Sequence, residues 1–339
     1  MRWHDLYIAG TGVALPPARS VDDAVSSGRF TSAEAARTQQ ITVTIADPGQ
    51  SAPELAVTAA RDALASSGHS PAEIGALLHA VVFHSGIDVW NAPAYIQRRL
   101  QIPAGRRLVS EVRSECDGGL VALELAALYL GQYPQPAALV TAGDVWPDPV
   151  FDRWSANSGL VFADGAAAIV LSRERGFARL VATCTAIDPE LEELDRGDEP
   201  FGAFLHHSTN PIDLNDRVRS FFRGTMPKAE FWRRHRLVLG EAVTGALADA
   251  DTSLTAMRSV ATQFLGADML RRETLVPLGI DFPATTFEWG QTIGHLGAAD
   301  VLVGLHKLRE SGHLSPHDQV LMLAEGGGLI CTAAVVEVL

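Results

Sequence analysis

A cysteine followed by an aspartate and two glycines, Ser114-Glu115-Cys116-Asp117-Gly118-Gly119, runs directly into an apolar stretch from Leu120 to Leu130 that reads as a helix. A thiol in the first turn of a helix faces unpaired N–H groups and partial positive charge, which favour thiolate over thiol and can hold a developing oxyanion. Cys116 is therefore a candidate nucleophile. Gly118 and Gly119 carry no side chain and leave space for a substrate at the sulfur, whereas Glu115 and Asp117 oppose ionisation of the thiol. The plain alternative is a small buried apolar residue, since free cysteine is among the most buried side chains. Cys184 and Cys331 have no comparable motif around them. His84, His206 and His207 fall in expected loops without metal-ligand spacing and read as surface or hydrogen-bonded residues.

The elements that must position Cys116 alternate along the chain. Leu6–Ala9, Ala76–Phe83, Arg107–Val109, Ala137–Ala142 and Ala166–Leu171 read as strands, and Pro53–Ser67, Ala92–Leu100 and Leu120–Leu130 as helices. This alternation predicts α/β layers with largely parallel strands. The helix from Leu120 is apolar on nearly every side and is expected between other layers. Phe162-Ala163-Asp164-Gly165-Ala166 leads into Ile169-Val170-Leu171, and Glu325-Gly326-Gly327-Gly328-Leu329 leads into Val335-Val336, which suggests an internal duplication with its boundary near Arg173. The two halves are then 1–173, carrying the cysteine, and 174–339. Asp188–Asp216 is charged and low in periodicity, and reads as a long loop or lid.

Composition bounds the partners. The chain has 339 residues, is 47% hydrophobic and 20% charged, and carries a formal net charge of -13. It has enough apolar material for one large or two medium cores, and lacks the basic surface that phosphate backbones or anionic membranes require. The basic run Arg233-Arg234-His235-Arg236 reads as a solvated face. Three cysteines make a disulfide framework improbable and fit a reducing cytoplasm. No apolar run reaches the ~18 residues of a membrane-spanning helix.

In order and spacing, these phrases resemble the ketoacyl synthase III branch of the thiolase superfamily over almost the whole chain. Ile8-Ala9-Gly10-Thr11-Gly12-Val13-Ala14-Leu15-Pro16 is similar to that family's first strand and turn, Phe162–Ala166 to its Phe-Gly-Asp-Gly-Ala signature, and Glu325–Leu329 to its C-terminal Gly-rich turn. Cys116 falls where the family keeps its acyl-accepting cysteine. The resemblance implies a five-layered αβαβα thiolase fold in two pseudo-duplicated halves and a homodimer. It also implies a cysteine at the end of a tunnel, with the backbone N–H groups of Cys116 and Gly327 forming an oxyanion hole. A tight-turn glycine with no chemical duty is the alternative for Gly327.

The departures from the family matter more. The family's His-Gln-Ala-Asn stretch corresponds to Thr262-Gln263-Phe264-Leu265, and its Gly-Asn-Thr-Ser-Ala-Ala-Ser to Gly294-His295-Leu296-Gly297-Ala298-Ala299-Asp300. Thr262 thus replaces a histidine, and His295 an asparagine. Cys116, His295 and Asp300 supply a nucleophile, a base and an orienter. Without a strong donor at Thr262, an enolate formed by loss of carbon dioxide lacks one of its two stabilising hydrogen bonds, so a malonyl group should keep its carboxylate. The alternative is that His295 fills the asparagine's space and Asp300 caps the following helix.

The resemblance then implies an O-acyltransferase that moves an intact malonyl or similar acyl group from a coenzyme A or carrier-protein thioester, through Cys116, to a hydroxyl of a deoxysugar on an aromatic polyketide, as in antibiotic biosynthesis. No cofactor or metal is implied. A decarboxylative condensing enzyme is the rival. The family's Trp and Arg contacts to coenzyme A are not recognisable in Ile41–Gln50, while Arg153 resembles another such contact. Trp90 corresponds to a phenylalanine that crosses the dimer interface into the partner's acyl tunnel, or is plain interface core. Phe222, in Phe221-Phe222-Arg223, is a candidate border of the acceptor cleft.

Overall fold

The computed structural model describes residues 1–199 and 211–339. His206, His207 and part of the expected Asp188–Asp216 loop lie outside the described residues. The strands, with the helices of eight or more residues, run β1 (Tyr7–Ala14), β2 (Ala18–Ser20), β3 (Thr42–Thr44), α1 (Ala52–Ser67), β4 (Ile74–Ala80), α2 (Ala92–Arg99), β5 (Leu108–Val112), α3 (Gly118–Gln132), β6 (Ala137–Asp144) and β7 (Gly165–Ser172). They continue as β8 (Ala178–Ile187), α4 (Leu214–Gly224), α5 (Lys228–Asp249), β9 (Met257–Thr262), α6 (Asp300–Glu310), β10 (Gln319–Gly326) and β11 (Ile330–Val338).

Local chemistry sets these boundaries. Pro53 sits in the first turn of α1, where its missing N–H costs nothing, and Gly68 ends the helix at φ 70, a left-handed conformation that suits glycine. β4, β6 and β7 are Ala-, Val- and Leu-rich and buried along their whole length, as strands covered on both faces must be. β4 stops at Ala80 rather than at Phe83 because the N–H groups of Val82 and Phe83 turn to the carboxylate of Asp144 instead of to a neighbouring strand.

Nine strands form one sheet in the order β5-β4-β6-β7-β1-β8-β11-β10-β9. The pairing pattern repeats within it. From β4 through β6 and β7 to β1 the pairings are parallel, antiparallel, antiparallel, and from β9 through β10 and β11 to β8 they are the same. The two stretches meet where Tyr7 and Ile8 pair antiparallel with Arg179 and Ala178. The expectation of largely parallel strands is thus corrected. Parallel neighbours need a crossover to carry the chain back, but 145–164, between β6 and β7, holds no helix, and β10 returns to β11 through the tight turn Gly327-Gly328-Leu329.

The sheet folds over a central layer made of α3 and α6, which touch each other and both halves of the sheet. Their core joins Leu120, Leu123 and Leu130 of α3 to Val301, Leu302 and Leu305 of α6. Outside one half of the sheet lie α1 and α2, and outside the other lies α5, each over its own apolar core. This is the five-layered αβαβα arrangement of the thiolase fold. The basic run on α5 divides: Arg233 and Arg234 bond to the carboxylate of Glu230 at the surface, whereas His235 is buried against Glu325. It is not wholly a solvated face, because His235 lies on the side of the helix that faces the sheet.

Candidate active site

The N-terminal ends of the two central helices converge, and the candidate residues sit there. Cys116 lies in the single helical turn Glu115–Asp117 that feeds α3. Asp300 opens α6, preceded by the turn Gly297–Ala299. The approach is very close: a Cβ on Gly119 would stand 2.2 Å from the carbonyl oxygen of Ala298. Gly118 likewise faces Ala80 and Ala298. Gly119 therefore serves backbone contact between the two turns, whereas the sequence suggests room for a substrate.

His295 completes the group. It is held as a short bridge against Phe162, its N–H donating to the Val161 carbonyl at 2.8 Å and its own carbonyl accepting from Ala163 N–H at 2.7 Å. The preceding Gly294 has φ 88, and a Cβ there would stand 2.8 Å from that of Ala163; only glycine fits. The imidazole Nε2 lies 3.1 Å from Cys116 Sγ and Nδ1 lies 2.5 Å from Asp300 Oδ2. Asp300 also accepts from the N–H groups of Phe264 at 2.8 Å and Leu296 at 2.7 Å. With its carboxylate fixed by two backbone donors, Asp300 accepts a hydrogen bond from Nδ1–H, which leaves the Nε2 lone pair aimed at the sulfur.

Burial pushes the Cys116 thiol well above its ordinary pKa, and the nearby carboxylates of Glu115, Asp300, Asp144 and Asp195 add to the effect. Cys116 therefore rests as a thiol, and His295 Nε2 is within reach of its proton.

The other named residues fall around this centre unevenly. Thr262 ends β9, two residues before the Phe264 N–H that binds Asp300, and its Oγ1 is buried without a hydrogen-bond partner among the described residues. Gly327 abuts the cysteine turn: a Cβ on it would point at Glu115 Cγ, 3.1 Å away, and at Asp195 Oδ2, 2.8 Å away. Trp90 is not joined to the group; it is exposed, its ring against Tyr95 at 5.5 Å. Phe222 lies on α4 among Phe221 and Phe231, with ring centroids 5.3 Å from each. Arg153 is placed differently from a surface coenzyme A contact. It is buried, with both guanidinium ends on Asp164 at 3.0 Å and further bonds to the carbonyls of Trp146 and Phe162.

Sequence reasoning missed three buried groups. Asp144 accepts the N–H groups of Val82 and Phe83, and burial pushes its carboxyl up to about 8. His235 pairs with Glu325 at 2.7 Å, and although burial opposes its charge, Glu325 raises its pKa overall. Gln263 holds the backbone of Glu325 on both sides, donating to its carbonyl at 2.8 Å and accepting from its N–H at 2.9 Å. Of these, Gln263 carried a sequence signal through the Thr262–Leu265 phrase, as Asp164, the partner of Arg153, did through Phe-Ala-Asp-Gly-Ala.

Comparison with known proteins gives the family. Residues 110–188 match the model of 3-oxoacyl-[acyl-carrier-protein (ACP)] synthase III, and residues 247–338 match that of its C-terminal region. The beta-ketoacyl-[acyl-carrier-protein] synthase III of Clostridium beijerinckii is 24% identical over 98% of this chain and 99% of its own length. Among solved structures, ChlB3, described as an acyltransferase, superposes with a TM-score of 0.92 at 35% identity, covering 98% of each chain. The 3-oxoacyl-[acyl-carrier-protein] synthase III of Aquifex aeolicus shares the fold with a TM-score of 0.77 at 21% identity, over 98% of this chain and 99% of that one. By these matches, over nearly its full length, the chain belongs to the ketoacyl synthase III family of the thiolase superfamily.

Proposed function

We propose that this enzyme transfers an intact malonyl or similar acyl group from a thioester to an alcohol, forming an ester without decarboxylation. Enzymes of its family act on coenzyme A or carrier-protein thioesters without a separate cofactor, and the likeness to an acyltransferase supports acyl transfer as the reaction type. The observation that carries the reading is the aligned Cys116, His295 and Asp300, with His295 Nε2 3.1 Å from the sulfur. A base so placed serves an oxygen nucleophile as readily as a sulfur one.

As Cys116 adds to the thioester carbonyl, its proton passes to His295 Nε2, and the oxyanion is held by the N–H groups of Cys116 and Gly327. Collapse expels the donor thiolate, which takes the proton back and leaves S-malonyl-Cys116. The acceptor hydroxyl then attacks the new thioester, giving its proton to His295; that proton returns to the sulfur as Cys116 leaves and the ester forms. Asp300 steadies the imidazolium in both halves. Thr262 offers a neutral hydroxyl in place of the family's histidine, too weak a donor to stabilise the enolate of decarboxylation, and its unpartnered Oγ1 suits a polar atom of the acyl group.

Within the family, these residues resemble the malonyl-transferring ketosynthase homologue of cervimycin biosynthesis, so the acceptor is read as a deoxysugar hydroxyl of an aromatic polyketide. The burial of Arg153 removes one coenzyme A contact and supports a carrier-protein donor. The reading includes a cytoplasmic homodimer. β5 is an edge strand, and Ile87, Val89, Trp90 and Leu108 around it are exposed apolar residues that a second copy would cover.

The test is intact-protein mass after treatment with a malonyl thioester. An adduct on Cys116 with the full malonyl mass, discharged only when alcohol is added, is expected. An acetyl-sized adduct would sink the reading in favour of condensation, and discharge at the same rate without acceptor would make the enzyme a thioesterase.

A further inference from the structure

We propose that His235, on the outer helix α5, is a positioning residue for acyl transfer: through Glu325 it holds the glycine turn that carries the Gly327 N–H against the cysteine turn.

The turn cannot hold itself. Gly326, Gly327 and Gly328 follow one another, and close approach accounts for the first two. A Cβ on Gly326 would stand 2.6 Å from the Ser114 carbonyl oxygen and 3.1 Å from Asp117 Cβ, and one on Gly327 would stand 3.1 Å from Glu115 Cγ. The residues on both sides of Cys116 are thus met by backbone that has no side chain to anchor it. Its place is set by its two ends. Leu329 closes the far end, packed in the apolar core under α5, with its carbonyl accepting from the Asp188 N–H at 3.0 Å. Glu325 is the last side chain before the glycines.

Glu325 is gripped twice. β9 pairs with β10 only as far as Thr262 opposite Leu323, because the Phe264 N–H turns away to Asp300. The Gln263 amide takes the missing strand's place on the Glu325 backbone, which fixes that residue along the sheet. Across the sheet, alternation puts Glu325 with Leu321 and Leu323 on the face of β10 that looks out at α5. A carboxyl under an apolar helix face needs a partner. His235 supplies it, with Nε2 2.7 Å from Oε2 and the two side chains 3% and 15% exposed. The other carboxyl acting on this imidazole, that of Glu273, is bonded to Arg272 at 2.7 Å.

His235 is a firm support. It shares the buried face of α5 with Phe231, Val238, Leu239 and Ala242, and the rings of Phe231 and Trp232 lie 6.0 and 5.4 Å from its own. Its Nδ1 is buried with no partner among the described residues, so Glu325 is the polar group that orients the ring. Without His235, the carboxyl is left unpaired beneath α5 and swings towards water, drawing the glycine turn with it. Sulfur and imidazole, held by other elements, stay in place. The role therefore shows only in reactions that build an oxyanion.

This role rests on the oxyanion reading of Gly327 but not on the malonyl group, so its test uses p-nitrophenyl acetate. Cys116 attacks that ester through a tetrahedral oxyanion and expels p-nitrophenolate, whereas iodoacetamide alkylates the same sulfur by losing iodide, with no oxyanion. In His235→Leu, acetylation of Cys116 should slow about tenfold while alkylation stays within about twofold of the native rate. His235→Gln, whose amide can donate where Nε2 stood, should restore acetylation to within about threefold. His235→Leu combined with Glu325→Leu lacks the anchor but leaves no unpaired carboxyl, so it keeps the test open should the single variant unfold, and it should show the same split. Peptide mass assigns both adducts to Cys116 rather than Cys184, and thermal melts report on folding. Equal slowing of the two reactions, native acetylation in both leucine variants, or no rescue by glutamine would each overturn the role of His235 and leave the function above untouched. A native protein that takes no acetyl group on Cys116 would sink that function, and this role with it.

Discussion

Cys116 is half-buried beside carboxylates that hold its proton on, so its reactivity depends on a proton acceptor. Replacing His295 by alanine should lower the rate of acylation by about 10²–10⁴ at neutral pH, measured as thioester consumption per enzyme. Asp300→Asn should cost about as much, because an amide facing Nδ1 favours the tautomer that points a hydrogen at the sulfur. Two other buried groups govern stability against pH. Asp144 has a carboxyl raised to about 8 in the fold, so the folded chain holds a proton that the unfolded chain has released, and stability falls as pH rises from about 4 towards 8. His79, buried in β4 and lowered to about 4, resists protonation when folded, so stability falls as pH drops from about 6.5 towards 4. The two windows overlap with opposite slopes, so melting temperature should hold between about pH 4 and 6.5 and decline from about 6.5 to 8, with that decline flattened in Asp144→Asn and extended down towards pH 4 in His79→Gln.

At the scale of elements, the site is a meeting of two helix N-termini, and Gly119 sets how near they come. A methyl group there would collide with the Ala298 carbonyl at 2.2 Å, and backbone on both sides leaves no side chain to swing away. Gly119→Ala should lower stability by about 1–3 kcal/mol. It should also depress acylation more than this loss explains, because lengthening the gap between sulfur and imidazole acts on the reaction directly. Activity compared with the folded fraction, taken from circular dichroism at the same temperature, checks both. Gly294 is the corresponding constraint on the base, since its φ of 88 turns the chain so that His295 reaches its bridge with Phe162.

For the whole molecule, the proposed homodimer should sediment at twice the 36.2 kDa of the chain, and Trp90→Ala should weaken it at low micromolar concentration if that ring packs across the interface. Most elements were legible in the sequence because their patterns are local: α1, α3 and β6 follow from apolar runs bounded by proline, glycine and polar turns. Strand direction was not, since nothing within β7 or β11 records which neighbour it will meet or from which end. The same distinction holds at the site. Cys116 stood out through its own flanking residues, and His295 with Asp300 through a short phrase departing from a family pattern. Asp144 carries no such mark, because what defines it are the N–H groups of Val82 and Phe83, brought to it only by the pairing of β4 with β6. Arg153 misled for the same reason: its local phrase resembled a ligand contact, whereas Asp164 had already claimed its guanidinium.

The proposed nucleophile rides on one copy of the repeated pattern and its proposed base on the other, coupled through the fit of α3 against α6. A slip of a fraction of an ångström between the copies would disconnect sulfur from imidazole while each kept its own core. Warmed gradually, such an enzyme should fall silent several degrees before it melts, and should recover on cooling.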